Sequence, residues 1–440
     1  MKKVSISMFA LLVVCFFGGR VQAQDSIHVD LNKAIEIALS ETPTMRIADR
    51  DVQIKQLYKK EQIVSLFPDV SIAANYNRTL LKQTMAMEMG GQAMSIKVGK
   101  DNTYSVGANL SLPLVAPALW SSLKLCSQDI ELAMEAARSS KLELVNQIKQ
   151  AYFGYLLAKQ SLDVLQKSYN NIEASNQLVT NSFNQGLVSE FEKLRSDVAL
   201  QNQRPAVSSA QKAVRLANMN LKVLLGMNID EPVIFDGELS DYEQGVLSAQ
   251  MPNEKDIQLA YNSALRQLDL GIQELEQSKK IMIGSSCPML ALAGNFQYAG
   301  MGDDKQPFTN YPYSYIALSL QVPIVSWAAT SYKLKQADLN IENMKDQRTD
   351  VERQLRIGVQ SYLNDMQQAI EDIAADRETM LQAQKAYEIA QKQYEVGMNT
   401  WLDLNNAELT LTSTQLTYCQ SLYNYISAKA NLDAVLGNEK

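Results

Sequence analysis

The sequence predicts a mainly α-helical chain with a β-barrel portion: duplicated long helical hairpins plus four membrane-spanning strands. Three observations predict it. The chain repeats itself at an offset of 210–211 residues, it carries four segments of strand-like alternation, and it holds long stretches free of proline. With Pro at 11 and Gly at 19 of 440 residues, collagen-like and linker-rich classes are excluded.

The chain opens on an address. Lys2 and Lys3 precede the apolar run Val4 to Gly18, and Val21-Gln22-Ala23 has the spacing of a cleavage site. Residues 1–23 therefore read as a secretory signal peptide. Its loss removes Lys2, Lys3 and Arg20, taking the formal charge from −7 to about −10, which disfavours nucleic acid as a partner. No later segment has the roughly 18 apolar residues of a membrane helix. After cleavage Cys126, Cys287 and Cys419 remain, an odd and widely spaced set that makes no disulfide framework.

The first repeat is read as 24–237 and the second as 253–440, joined by a connecting segment at 238–252 that is polar and broken by Gly245 and Pro252. Ala151-Tyr152-Phe153 returns as Ser361-Tyr362-Leu363, Phe183-Asn184-Gln185-Gly186-Leu187 as Tyr394-Glu395-Val396-Gly397-Met398, and Leu224-Leu225-Gly226 as Val435-Leu436-Gly437. A period this long marks a duplicated domain-sized unit. Each copy opens on a helix, the first over 31–66 with an interruption near Pro43. Strands follow at 69–79 and 103–113, then at 289–299 and 313–323 in the second copy. Val70, Ile72, Ala74 and Tyr76 alternate with Ser71, Ala73, Asn75 and Asn77, and Ile316, Leu318 and Leu320 alternate with Ala317, Ser319 and Gln321. One apolar face against one small or polar face suits a lipid-facing strand; a half-buried soluble sheet shows the same alternation. Four strands cannot close a barrel, and open edges are forbidden in lipid, so several chains must share one. A long helix and a shorter one complete each copy. Leu355, Tyr362, Met366, Ala369 and Ile373 keep helical spacing, and no proline follows Pro323. Sixty such residues span roughly 90 Å.

The extra residues of the first copy hold Met85, Met87, Met89 and Met94. Alternating thioethers are weak candidates for a soft metal, and a barrel loop with flexible apolar filler is the main expectation. Trp120 and Trp327 follow matching strand ends and suit an interfacial aromatic belt or a packed junction. No G-x-S-x-G, P-loop or H-E-x-x-H is present, and the one His is His28, so neither enzymatic activity nor a cofactor is expected.

These hairpins, each carrying two strands and an F/Y-x-x-G at one helix turn, resemble the TolC family of outer-membrane efflux proteins over residues 28–440, most specifically from Tyr394 through Gly397, Leu402 and Asp403 to Leu436-Gly437. The resemblance implies a homotrimer with a 12-strand barrel in outer-membrane lipid and an α-helical tunnel into the periplasm. It implies a passive exit duct for small molecules, partnered by a periplasmic adaptor and an inner-membrane pump. A type I protein secretion duct and a periplasmic coiled-coil scaffold are the alternatives. It further implies that the turns at Gly186-Leu187 and Gly397-Met398 form the tip that docks the adaptor. Asp403 matches an acidic position of the aperture and Glu192 its first-copy counterpart. Asn406 and Asn399 depart from the family's best-known member, which has Asp and Arg there. From the residues alone, Gly186 and Gly397 are helix-ending glycines, and Ser189…Glu192 and Thr400…Asp403 are capping boxes.

Overall fold

Alternation becomes sheet in one of two compact units into which the chain folds. The structure, a computed structural model, describes residues 27–89, 92–247, 251, 257–304, 307–324 and 327–438, with the side chains of 88, 89, 92–94 and 327 also outside the description. The signal-peptide reading over 1–23, most of 248–256, the thioethers of Met89 and Met94 and the ring of Trp327 thus fall outside it. Each unit draws on both repeats: one takes Met1–Thr42, Leu144–Met251 and Leu363–Asn431, the other Pro43–Glu143, Pro252–Tyr362 and Leu432–Lys440.

The second of these units holds a four-stranded antiparallel sheet in the order β2-β5-β7-β8, where β2 is Asp69–Arg78, β5 Asn102–Val115, β7 Met289–Gly302 and β8 Thr309–Gln321. Directly opposed residues share a face of such a sheet. Val70 faces Leu110, Leu110 faces Gly294, and Gly294 faces Ile316. Ile72, Ala108, Phe296 and Ser314 form the next row, and Leu112, Leu292 and Leu318 lie on the same face. The even-numbered face is therefore apolar, and it is uncovered: Ile72 is 79% and Ile316 81% exposed. The strands differ from the expected spans at their ends: β2 stops one residue early at Arg78, β5 and β7 run on to Val115 and Gly302, and β8 starts early at Thr309 and stops at Gln321, two residues before Pro323, which cannot donate to a ladder. Edge strands β2 and β8 each leave one side unpaired.

Beyond the end of β2 lies a departure from expectation. The methionine segment is a hairpin, β3 (Gln83–Met89) on β4 (Gln92–Val98), with Met85 opposite Ile96 and Met87 opposite residue 94. Its base is tied to the sheet: Asp303 accepts from Lys82 Nζ at 2.8 Å, Lys100 Nζ at 2.7 Å and the Asp101 N–H at 3.2 Å. These bonds hold the Asp303 carboxyl far below the usual carboxylate range. Asp304 beside it accepts from Arg78 and Asn102.

Helices enter and leave the sheet. The expected opening helix is two, α1 (Leu31–Glu41) and α2 (Pro43–Val64), since Thr42 before Pro43 is held extended at ψ 140°. Asp30 caps α1, accepting from the Lys33 N–H at 2.8 Å. The long helices are α3 (Pro117–Asn184, 68 residues) and α7 (Trp327–Glu395, 69 residues), each about 100 Å at 1.5 Å per residue. Their shorter partners are α4 (Glu190–Leu224) and α8 (Trp401–Leu436); α5 (Glu243–Leu247) lies in the connecting segment, and α6 (Ser263–Gly284) is the helix that opens the second repeat.

The helical unit has its own core. Met366, Ala369 and Ile373 of α7 and Leu404, Leu411, Tyr418 and Leu422 of α8 are buried at helical spacing. Ile148, Tyr152 and Leu156 of α3 are buried as well, each such side chain contributing about 1.5–3 kcal/mol by burial. The segment after Gly226 is less simple than a linker. Here β6 (Val233–Phe235) pairs in parallel with β1 (Ile27–Val29). The Phe235 ring stands edge-on to Tyr152 and Tyr155, and Tyr152 donates to the Asp236 carbonyl.

Candidate functional site

Two helix–turn–helix tips close the helical unit, and both are built alike from backbone upward. At the first, the Leu187 N–H donates to the Ser182 carbonyl and the Gly186 N–H to Phe183, both at 2.9 Å. At the second, Met398 donates to Gln393 at 2.8 Å and Gly397 to Tyr394 at 3.0 Å. This is the paired bonding that ends a helix on a left-handed residue. Gly186 has φ +73° and Gly397 φ +72°, a region closed to most side chains, and a Cβ at either would meet no atom within 4 Å. Glycine is required here by backbone conformation, not by crowding.

The caps differ. Thr400 Oγ1 accepts from the Asp403 N–H at 3.2 Å, and Asp403 Oδ2 accepts from the Thr400 N–H at 3.3 Å as well as from its hydroxyl, a complete box. At the first tip Ser189 Oγ accepts from the Glu192 N–H at 3.2 Å, but no return bond to Glu192 stands among the described hydrogen bonds. The expected box there is half formed, and the Glu192 carboxylate is near enough to Tyr394 to act on it through its charge. Burial and that carboxylate together push the Tyr394 phenol up. Glu192 and Tyr394 are thus brought together, one from each repeat.

Asn399 is half-buried; its Oδ1 accepts from the Thr400 N–H at 3.0 Å and its amide reaches Gln393 at 3.4 Å. Asn406 is exposed, and its carbonyl takes the Thr410 hydroxyl at 2.8 Å. Leu187 is 72% and Met398 79% exposed, so the outermost side chain of each tip is apolar and uncovered.

Sequence reasoning passed over two residues behind the tip. Trp401, the first residue of α8, is 1% exposed, and its Nε1–H donates to Ser175 Oγ of α3 at 3.2 Å. About two turns further on, Glu408 is 3% exposed. It accepts from Asn171 Nδ2 at 3.1 Å, and Ser168, Tyr387 and Thr412 also bond to it. Burial raises its carboxyl, with the hydrogen bonds pulling the other way, and burial beside Glu408 pushes the Tyr387 phenol up to about 12. The signal for Glu408 was present: positions 404, 408 and 411 form one buried stripe, and an acid within it needs partners.

Among the described residues no group of three or more His, Cys, Asp or Glu is placed to hold a metal ion. Met85 and Met87 are half-exposed on the hairpin, and Trp120 is exposed. Tyr76, Tyr104 and Tyr298 stand on the apolar sheet face toward the end remote from the helices, beyond Phe296 on the same face. Tyr104 and Tyr298 lie 6.4 Å apart. Gly300 makes room for this: a Cβ there would stand 2.4 Å from the Tyr104 ring.

With this geometry in place, the chain can be set beside known proteins. The model of the outer membrane efflux protein family matches residues 34–227 and 256–438. By sequence alone no curated protein matches. Among solved structures, the Campylobacter jejuni CmeC outer membrane channel is similar at 14% identity and TM-score 0.74, over 92% of this chain and 85% of that one. The Vibrio cholerae outer membrane protein VceC is similar at 15% and 0.72, over 92% and 96%. The open state of the Neisseria gonorrhoeae MtrE outer membrane channel is similar at 18% and 0.73, over 92% and 88%.

Proposed function

The chain belongs to the outer membrane efflux protein family, and on that premise we propose that it is the passive exit duct of a tripartite system exporting small molecules, drugs or toxic compounds among them. The observation that carries this reading is the four-stranded sheet with one uncovered apolar face and two open edges. A membrane tolerates such a sheet only when copies join edge to edge into a closed barrel. Three copies give twelve strands, and the paired long helices of each copy then continue the barrel as a tunnel. The chain has no nucleotide-binding motif, so the work of export comes from an inner-membrane pump. A periplasmic adaptor joins the two. The exposed Leu187 and Met398 supply apolar knobs for that adaptor, and Asp403 and Glu192, with Asn399 and Asn406 beside them, line the aperture.

Threefold symmetry would crowd three copies of each acid round one opening, where carboxylates attract cations. Planar-bilayer recordings of Asp403→Asn with Glu192→Gln test this. The expected result is a several-fold drop in cation-over-anion selectivity and weaker block by trivalent cations from the tip side. Unchanged selectivity would return Asp403 to a cap and Glu192 to a neighbour of Tyr394, with a stability loss of about 1 kcal/mol or less per site. Absence of any conductance in the wild-type protein would remove the duct itself.

A further inference from the structure

The sheet face opposite the apolar one carries a second pattern. On β8, Tyr311, Tyr313 and Tyr315 alternate along the strand and are 51%, 49% and 53% exposed. They do not share a face with the rings described above: Tyr76, Tyr104 and Tyr298 hold even register positions, and these three hold odd ones. Their partners on β7 are Ala299, Gln297 and Asn295, too small or too polar to cover a ring. Tyr313 donates to Gln297 Oε1 at 2.5 Å, and Asn295 Nδ2 donates to Asn109 Oδ1 at 2.6 Å, so an amide row lies beside the ring row. Asn75, Asn77, Thr103 and Ser105 continue this face across the sheet. Asp69, at the helix-side end of β2, is its one charged residue among the described ones. The other charges gather beyond the strand ends at Lys82, Lys100, Asp101, Asp303 and Asp304.

We infer that this odd-numbered face is a tyrosine-lined, uncharged slide that binds neutral planar aromatic solutes as they leave through the barrel. The inference rests on the duct reading, which turns this face toward the lumen because the other faces lipid. Alternate residues of a strand stand about 6.8 Å apart. That is the room for one flat ring system in contact with a tyrosine on each side, at about 3.5 Å per contact. A bulky aliphatic solute does not fit such a gap. A charged solute loses water and gains no counter-charge, whereas a neutral heteroaromatic finds ring faces to stack on and amides to bond. The spacing repeats along the strand, so a solute released by one gap meets the next.

The test uses full-length detergent-purified protein and caffeine, a neutral planar heteroaromatic, with polyethylene glycol of about the same mass as a flexible aliphatic control. Binding is read by saturation-transfer NMR, and each sample is also inserted in planar bilayers. Tyr311→Thr, Tyr313→Thr and Tyr315→Thr are combined, since threonine keeps the strand propensity. A second variant replaces all three by Phe. Caffeine binding about tenfold weaker in the threonine variant, kept in the phenylalanine variant, with no binding of the glycol, is the expected result. Equal caffeine binding in wild type and threonine variant, with channels still formed, would overturn the slide and leave the duct standing. If the wild type forms no channel, the duct fails and the slide with it. A threonine variant that forms no channel passes the decision to the phenylalanine variant and single substitutions: loss of binding on Tyr→Phe, or no loss at any single Tyr→Thr, overturns ring stacking.

Discussion

Gly186 and Gly397 isolate a backbone requirement from every packing requirement. Each has positive φ, and each has open space where a side chain would go. Replacing either by valine costs roughly 1–2 kcal/mol of local strain, with no steric damage beyond the turn. The expected outcome is impaired export at near-normal protein level in the outer membrane, measured by substrate susceptibility beside an immunoblot. Gly→Asn, which tolerates this conformation better, should restore most of it. Full export in both valine variants would show that the turn is not strained. Glu408 offers a different residue-scale test. Its carboxyl binds a proton more tightly when folded than unfolded, because burial disfavours its charge. The stability tied to it is therefore complete below the ordinary value of 4.5 and is lost as pH rises through the raised one. Thermal melting of the detergent-extracted protein should fall with pH above about 4.5, and Glu408→Gln should flatten that slope. Glu408→Leu should instead cost about 1–3 kcal/mol at all pH values, by stranding Asn171 and Tyr387.

Among elements, the long helices and the four sheet strands were legible because each carries its period over many residues. Ile316, Leu318 and Leu320 against Ala317, Ser319 and Gln321 leave little choice of face, and the register keeps them so. The pairing of β1 with β6 was not legible: three residues make no period, and the partners lie about 206 positions apart. The methionine hairpin was under-read. Methionine is not a strong strand former, although Gly90-Gly91 between two alternating runs is a hairpin signal. At the tips, glycines and caps were readable from spacing, while the nearness of Glu192 to Tyr394 depends on packing between segments some 200 residues apart. The hairpin also yields a prediction. Its base hangs on Asp303, whose carboxylate serves Lys82, Lys100 and the Asp101 N–H at once. Asp303→Asn should speed backbone hydrogen exchange over residues 79–101 several-fold while exchange in β7 stays unchanged. Because the folded carboxyl is held down, wild-type protection should persist down to about pH 4 and fade only as the acid is protonated below that. Equal exchange in both proteins would show that the clamp does not order the hairpin.

For the whole molecule, the decisive quantity is the number of copies. Native mass spectrometry of detergent-extracted protein should show three chains, since one sheet with edges β2 and β8 open has no stable place in lipid. A stable monomer in the soluble periplasmic fraction would end the proposal. The two open edges carry a genetic consequence as well. A chain that must borrow its neighbours' strands cannot keep a defect to itself. In a cell making equal amounts of sound and faulty chain, about one assembly in eight would be free of the faulty one if three copies mix at random. Damage at a tip that leaves β2 and β8 able to pair would thus behave as a dominant trait, and damage to the strand edges themselves as a recessive one.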